Sequence, residues 1–243
     1  MADFRLHVQA AAVTGGVVAA ALLVAGVTGR GETLACFAAA IAGGVLPDLD
    51  SDQSTPFGIA ATLLAICFAF LLVFSQADRY SVLELLLLWL LGHLAIRRGI
   101  APLARQFTVH RGIWHSLPAL LFFAYVTVVL LWAIGGVAPA TAWLIGTFVG
   151  IGVLVHLLLD ELYGLTLLRP WRMRRSLGSA LKLYSRTWLA TGLMYLAVIG
   201  LHVITPPTDG LYRRLLNPGV WQRIEQRLLP TSGWFASRHA RTE

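Results

Sequence analysis

The chain has 243 residues, of which 57% are apolar and only 13% are charged, about half the charged fraction of an ordinary soluble domain. That composition excludes a soluble globular protein and predicts an all-α, polytopic membrane protein with about six to seven transmembrane or re-entrant helices in one bundle. Nineteen Lys and Arg against twelve Asp and Glu give +7, but the excess lies in loops and tail, where it sets membrane orientation; this argues against nucleic-acid binding and identifies no protein partner.

Seven apolar runs follow in chain order, near residues 8–28, 33–47, 57–75, 80–96, 113–135, 137–159 and 187–204. The first follows Arg5 as a signal-peptide h-region would, but it is too long and lacks a clear A-x-A site, so a retained helix is expected. The second, at about 15 residues, falls short of the roughly 20 needed to span the core. Gly43-Gly44 and Pro47 would loosen its end, leaving either a short tilted span or a re-entrant segment. Cys36 and Cys67 lie inside apolar runs without C-x-x-C spacing and read as packing residues. Gly146-x-x-x-Gly150 in the sixth run reads as a helix-packing element within the monomer. Beyond the last run, Trp221, Ile224 and Leu228 recur at helical spacing with Arg223 and Arg227 between them, as in an amphipathic helix lying in the interface. The expected organisation is a transmembrane domain over 1–204 and a basic amphipathic tail over 205–243.

If every run crosses, the basic residues sort unevenly. Arg5, the breaks around residues 97–111 and those around 169–186 share one side, while Arg30 and Arg79 lie on the other. The first side is then the cytoplasmic face of a bacterial-type inner membrane. Seven crossings carry the arginine-rich tail to the opposite side, whereas a tail bound to the anionic cytoplasmic leaflet needs one run not to cross; the sequence leaves both open.

Ionisable residues at membrane depth are costly and demand an explanation. Here they form four clusters: His7 at the first run, Asp48, Asp50 and Asp52 after the second, His110-Arg111-Gly112-Ile113-Trp114-His115-Ser116 before the fifth, and His156 with Asp160 in the sixth. Alternating topology places all four at one membrane face. His156 and Asp160 are spaced i, i+4, which puts imidazole and carboxylate on one helix face. His110 and His115 are about 140° apart on an ideal helix, so they converge only if Gly112 breaks it or if they serve different ions. The Asp48-x-Asp50-x-Asp52 spacing begins like a calcium loop, but Gln53 and Ile59 stand where the turn glycine and bidentate Glu belong.

Singly, these are a buried His-Asp hydrogen bond, interfacial histidines and a solvated acidic loop. Together, His7, Asp48, Asp50, His110, His115, His156 and Asp160 supply seven N/O ligands, more than one tetrahedral ion uses. The expectation is therefore a site for two divalent cations, Zn²⁺ by preference and Mn²⁺ or Fe²⁺ as alternatives. Arg111 is a candidate to balance charge on a phosphate, and Asp52 or Glu161 a candidate general base or ligand-orienting partner. Ser51 and Ser116 are candidate supporting hydroxyls, and His93 a candidate neighbour of the site. Glu84, His202 and His239 are expected to lie outside it.

The ordered set also resembles a known family. His7, Gly44-Val45-Leu46-Pro47-Asp48-Leu49-Asp50, His110-Arg111-Gly112 with His115-Ser116-Leu117, and His156 with Asp160 resemble the YdjM-type family, described as LexA-regulated, membrane-bound, metal-dependent hydrolases. Trp114 stands where the family usually has Thr, and Leu167-Leu168-Arg169-Pro170-Trp171 matches the segment after the last Asp only loosely. The resemblance implies a hydrolase without naming its substrate. Placement at the membrane surface suggests a phosphoester of a lipid or other amphiphile, its head at the metals and its tails in the bilayer. The alternatives are a lipid amidase or esterase, a metal-ion transporter or sensor, and a scaffold braced by metals.

Overall fold

The computed structural model describes residues 4–50, 82–100, 113–164, 181–185 and 187–225, and each regular element among them is helical. Helix α1 is Phe4–Val24, α2 is Arg30–Val45 followed by a 3₁₀ turn Leu46–Asp50, and α3 is Val82–Leu94 running into a π turn Ala95–Ile100. Then come α4, Leu117–Val129, continued by a π turn Leu130–Ile134, and α5, Pro139–Gly164. The last three are α6, Trp188–Ile204, α7, Asp209–Leu215, and α8, Pro218–Glu225. Among the described residues, Phe4–Val24, Leu117–Ile134 and Pro139–Tyr163 are long and apolar enough to cross a bilayer. The α6 and α7–α8 segments form a further candidate, bent by 83° at the break between them. The predicted run at 57–75, Cys67 and the tail beyond residue 225 lie outside the described residues.

Helix ends are set by recognisable local chemistry. Gly26, at φ 68°, ends α1; the Gly26 and Val27 amides donate to the carbonyls of Leu23 and Leu22 at 3.0 and 2.9 Å, which satisfies carbonyls the helix leaves open. At the start of α2 the Glu32 carboxylate accepts from the Gly29 amide at 3.2 Å. Pro47 has no N–H to extend the α ladder of α2, and the chain tightens there into the 3₁₀ turn. Ser116 is the N-cap of α4: its hydroxyl donates to the Ile113 carbonyl and accepts from the Ala119 amide. The sequence had offered this hydroxyl to the site; the structure uses it to begin a helix.

The core is built on α5, against which α1, α2 and α4 all pack. Small residues permit the approach. A Cβ added at Gly152 would run into the Ala40 carbonyl and the Gly44 amide, and one at Gly43 into the Val149 carbonyl, so α2 and α5 touch backbone to backbone. On another side of α5, a Cβ at Gly146 would lie 2.5 Å from Val128 Cγ2 and 2.8 Å from the Ala124 carbonyl of α4, the packing role expected for that glycine. In α1 the buried residues are His7, Ala11, Gly15 and Ala19, a stripe at i, i+4 spacing. Ala11 and Gly15 meet Gly44 and Ala40 of α2. With no hydrophobic force separating lipid from apolar helix, such close van der Waals contact is the main source of association.

At 16 residues α2 is about 24 Å long, below the length of an ordinary span. It nonetheless runs parallel to α5 from end to end: Glu32 accepts a hydrogen bond from Thr141 at 2.5 Å, and Gly44 meets His156 at the other end. The sequence left open a short span or a re-entrant segment; α2 reaches from one end of the bundle to the other beside α1 and α5, and is shorter than the three helices able to cross a bilayer alone.

Substituting Gly152→Ala should lower stability by about 1–3 kcal/mol through backbone overpacking, read as a fall in melting temperature in detergent. Gly192→Ala, where an added Cβ meets nothing within 4 Å, should leave the melting temperature unchanged or raise it.

Candidate metal centre

The topology carries the polar residues to one end of the bundle. Helix α1 starts there with His7, α2 ends there in the turn bearing Asp48, His115 precedes the N-terminus of α4, and α5 brings His156 and Asp160 in its last turns. Because α1 begins at Phe4, ahead of the predicted start at residue 8, His7 lies on the buried stripe and faces the other donors. All of these except Asp48 are almost fully buried, and the Asp48 side chain is 20% exposed.

Four donor atoms form a closed ring. Asp48 Oδ1 lies 3.7 Å from His115 Nε2 and 3.6 Å from His156 Nε2. Asp160 Oδ2 lies 3.8 and 3.7 Å from the same two nitrogens. These separations exceed ordinary hydrogen bonds. They are a few tenths of an ångström wider than the edge, roughly 3.3 Å, of a tetrahedron with bonds of 2.0–2.1 Å around a divalent ion. The other oxygen of Asp160, Oδ1, faces His7 Nε2 at 3.5 Å. Two donor groups result, His7 with His156 and Asp160, and Asp48 with His115 and His156, with His156 common to both.

The protonation pattern suits a cation. His156 Nδ1 is 2.7 Å from the Gly44 carbonyl, and a carbonyl only accepts, so Nδ1 carries the proton and the neutral ring offers its Nε2 lone pair to the ring of donors. That carbonyl lies in the last turn of α2, and Pro47, three residues on at the start of the 3₁₀ turn, has no N–H to take it. His7 stacks on His156 with centroids 3.8 Å apart and planes at 15°, a contact that two imidazolium cations would oppose and two neutral imidazoles, the metal-binding form, permit. His156 Nε2 and Asp160 Oδ1 are buried without a hydrogen-bond partner. Buried polar atoms normally have one, and each of these offers a lone pair that a divalent cation would take. An all-imidazole and carboxylate donor set fits Zn²⁺, Mn²⁺ or Fe²⁺. The one described cysteine, Cys36, is buried in the α2 packing face, away from this set.

Of the seven sequence-predicted ligands, the structure brings together His7, Asp48, His115, His156 and Asp160. His110, Arg111 and Asp52 lie outside the described residues, as does the Asp50 side chain at the end of its turn. Glu161 is half-buried, about 100° around α5 from Asp160, and is not among the clustered donors. His93 stacks on Trp89 at 5.3 Å and is likewise not among them. His202 lies near the far end of α6 beside Tyr125. Trp114 packs its indole against Phe122 and Phe123 of α4, so this position supplies apolar support beneath His115. Sequence reasoning had no place for the Gly44 carbonyl, which orients His156; the Gly43-Gly44 pair was its one visible sign.

No curated protein and no solved structure matches the chain. A family model described as YdjM inner membrane protein matches residues 5–216, a stretch containing all five clustered donors, and the chain belongs to the YdjM inner membrane protein family.

Proposed function

We propose that this chain is an integral-membrane, metal-dependent hydrolase that cleaves a phosphoester of a lipid or other amphiphile at the cytoplasmic face of the inner membrane. The observation that carries the reading is the buried ring of Asp48, His115, His156 and Asp160, with the bare Nε2 of His156 turned into it. One ion, Zn²⁺ by preference, would be held by residues of this ring. His156 has a single free nitrogen and so serves one ion, whereas Asp160 has an oxygen on each side. A second ion would therefore share Asp160 with His7 and draw its remaining ligands from Asp50 and His110.

A bound divalent cation polarises an ester oxygen and makes a coordinated water acidic near neutral pH. The protein's own groups do the rest. Asp48, the most exposed of the five donors, marks the side from which water and substrate reach the ring. The Gly44 carbonyl holds His156 in the ligating tautomer. Arg111 balances the charge of the phosphoryl oxygens, and Asp52 or Glu161 accepts the proton released by the attacking water. An amphiphilic substrate suits donors at the helix ends, where a head group reaches them while its chains stay in lipid. The same placement counts against transport, which needs ligands near the midplane and access from both sides.

Metal analysis of purified protein tests the site: the wild type should retain zinc, His156→Ala and Asp160→Ala should lose it, and His7→Ala should show a reduced stoichiometry. Unchanged metal content in the His156 and Asp160 variants would refute the assignment. Activity should be measured on a panel of phosphoester, amide and carboxylic ester lipids. Turnover of a phosphoester lipid should vanish on chelation, return with Zn²⁺ or Mn²⁺, and fall about 100-fold or more in Asp48→Asn, since a metal supplies several kcal/mol of transition-state stabilisation. Cleavage confined to amide or carboxylic ester lipids would replace the phosphoester assignment, and full activity after complete metal removal would end the metal mechanism.

A further inference from the structure

The opposite end of the bundle carries a second polar assembly. After α6 the chain turns by 83°, and α7 and α8 lie across the ends of α1 and α5. The Trp143 indole donates to the Pro206 carbonyl at 2.8 Å, Gly210 sits against Ala140, and Leu211 and Val220 are buried. Between this lid of helices and the α1–α2 turn is a cavity of about 340 Å³, whose lining includes Gly26, Arg213, Arg214, Asn217, Val220 and Arg223.

Among the described residues, three guanidinium groups line one cavity and no carboxylate does. Glu32 approaches from α2 and pairs with Arg214 at 3.2 Å, itself held by the Thr141 hydroxyl and the Gly29 amide. That compensates one of the three charges. Arg213 and Arg223 have no acidic partner among the described residues. Gathering cations without a counter-charge at a membrane surface is unfavourable unless an anion completes the set.

The donors are also pre-positioned. Arg213 Nε donates to the Asp209 carbonyl at 3.4 Å, which leaves its terminal nitrogens for a ligand. Arg223 lies over Gly26, where an added Cβ would be 3.9 Å from its guanidinium carbon. Asn217 Oδ1 accepts from the Gly219 amide at 2.9 Å, so its Nδ2 remains a donor. Planar guanidinium forks of this kind match a phosphate in geometry as well as charge. On the same two helices Tyr212, Leu216 and Trp221 are exposed, an apolar rim beside a charged cavity.

We propose that this cavity binds a phosphate group, carried either by an anionic phospholipid head group in the leaflet opposite the metal cluster or by a soluble phosphate compound. The site is separate from the metal centre and does not depend on the hydrolase reading. Its test uses the full chain and native mass spectrometry with phosphatidylglycerol or phosphatidylcholine, beside a thermal-shift titration with inorganic phosphate. The comparison is wild type against the double variant Arg213→Gln/Arg223→Gln and the control Arg98→Gln on the π turn after α3. Phosphatidylglycerol should bind preferentially, more weakly as salt rises, and about tenfold or more weakly in the double variant, with the control unchanged. Stabilisation by inorganic phosphate, lost in the double variant and unmatched by a lipid preference, would support the site and assign it to a soluble ligand. The double variant should keep its melting temperature without ligand and its zinc content, so that lost binding is not lost folding. Equal binding of both lipids and of phosphate by wild type and double variant would overturn the proposal.

Discussion

The backbone contact between α2 and α5 is the constraint on which the rest of the molecule depends. Gly43 and Gly44 on one helix and Gly152 on the other remove the side chains that would hold the axes apart. Gly152 lies one helical turn before His156. The contact that lets the two backbones touch therefore also delivers the last-turn carbonyl of α2 to the His156 ring. Packing, the tautomer of His156 and the position of Asp48 just beyond Pro47 are consequences of one crossing. A bulkier residue in that crossing would alter all three together, because protein interiors transmit displacement more readily than they absorb it.

The same parallel pairing gives the bundle two chemically different ends. At one, imidazoles and carboxylates are buried together with lone pairs turned inward, an arrangement that attracts a cation. At the other, Glu32 ties α2 to α5 and α7 through Thr141 and Arg214, and further arginines gather around a cavity, an arrangement that attracts an anion. Helices α7 and α8 lie at this second end, and the amphipathic character expected around Trp221 belongs to a helix running across the bundle ends. The tail's place was open in the sequence because its arginines argued for the cytoplasmic leaflet while the run count argued for the other. The Trp143, Ala140 and Glu32 contacts put residues 206–214 at the end opposite His156.

Much of the site was legible because membrane proteins can place so few ionisable groups near their spans. His156 and Asp160 share a helix face by spacing alone, and His7, Asp48 and His115 joined them through alternating topology. The reasons for their convergence were less visible. The i, i+4 stripe of Ala11, Gly15 and Ala19 that aims His7 was hidden in an alanine- and glycine-rich run where small residues occur on every face. Ser116 and Trp114 flank His115 and look chemical in sequence, yet one caps α4 and the other packs on its aromatic residues, since helix capping and core packing draw on the same side chains as catalysis. The weakness of α2 as a span was legible and its importance was not: length measures the crossing of lipid, whereas α2 matters through its packing against α1 and α5.

The central claim is that imidazole nitrogens and carboxylate oxygens at this crossing form the inner coordination sphere of a divalent cation. X-ray absorption at the zinc edge of the purified, zinc-loaded protein tests it most directly. The account predicts a first shell of nitrogen and oxygen at about 2.0–2.1 Å, with outer-shell scattering from at least two imidazoles. A sulfur shell near 2.3 Å, or a shell of oxygen alone without imidazole scattering, would contradict it.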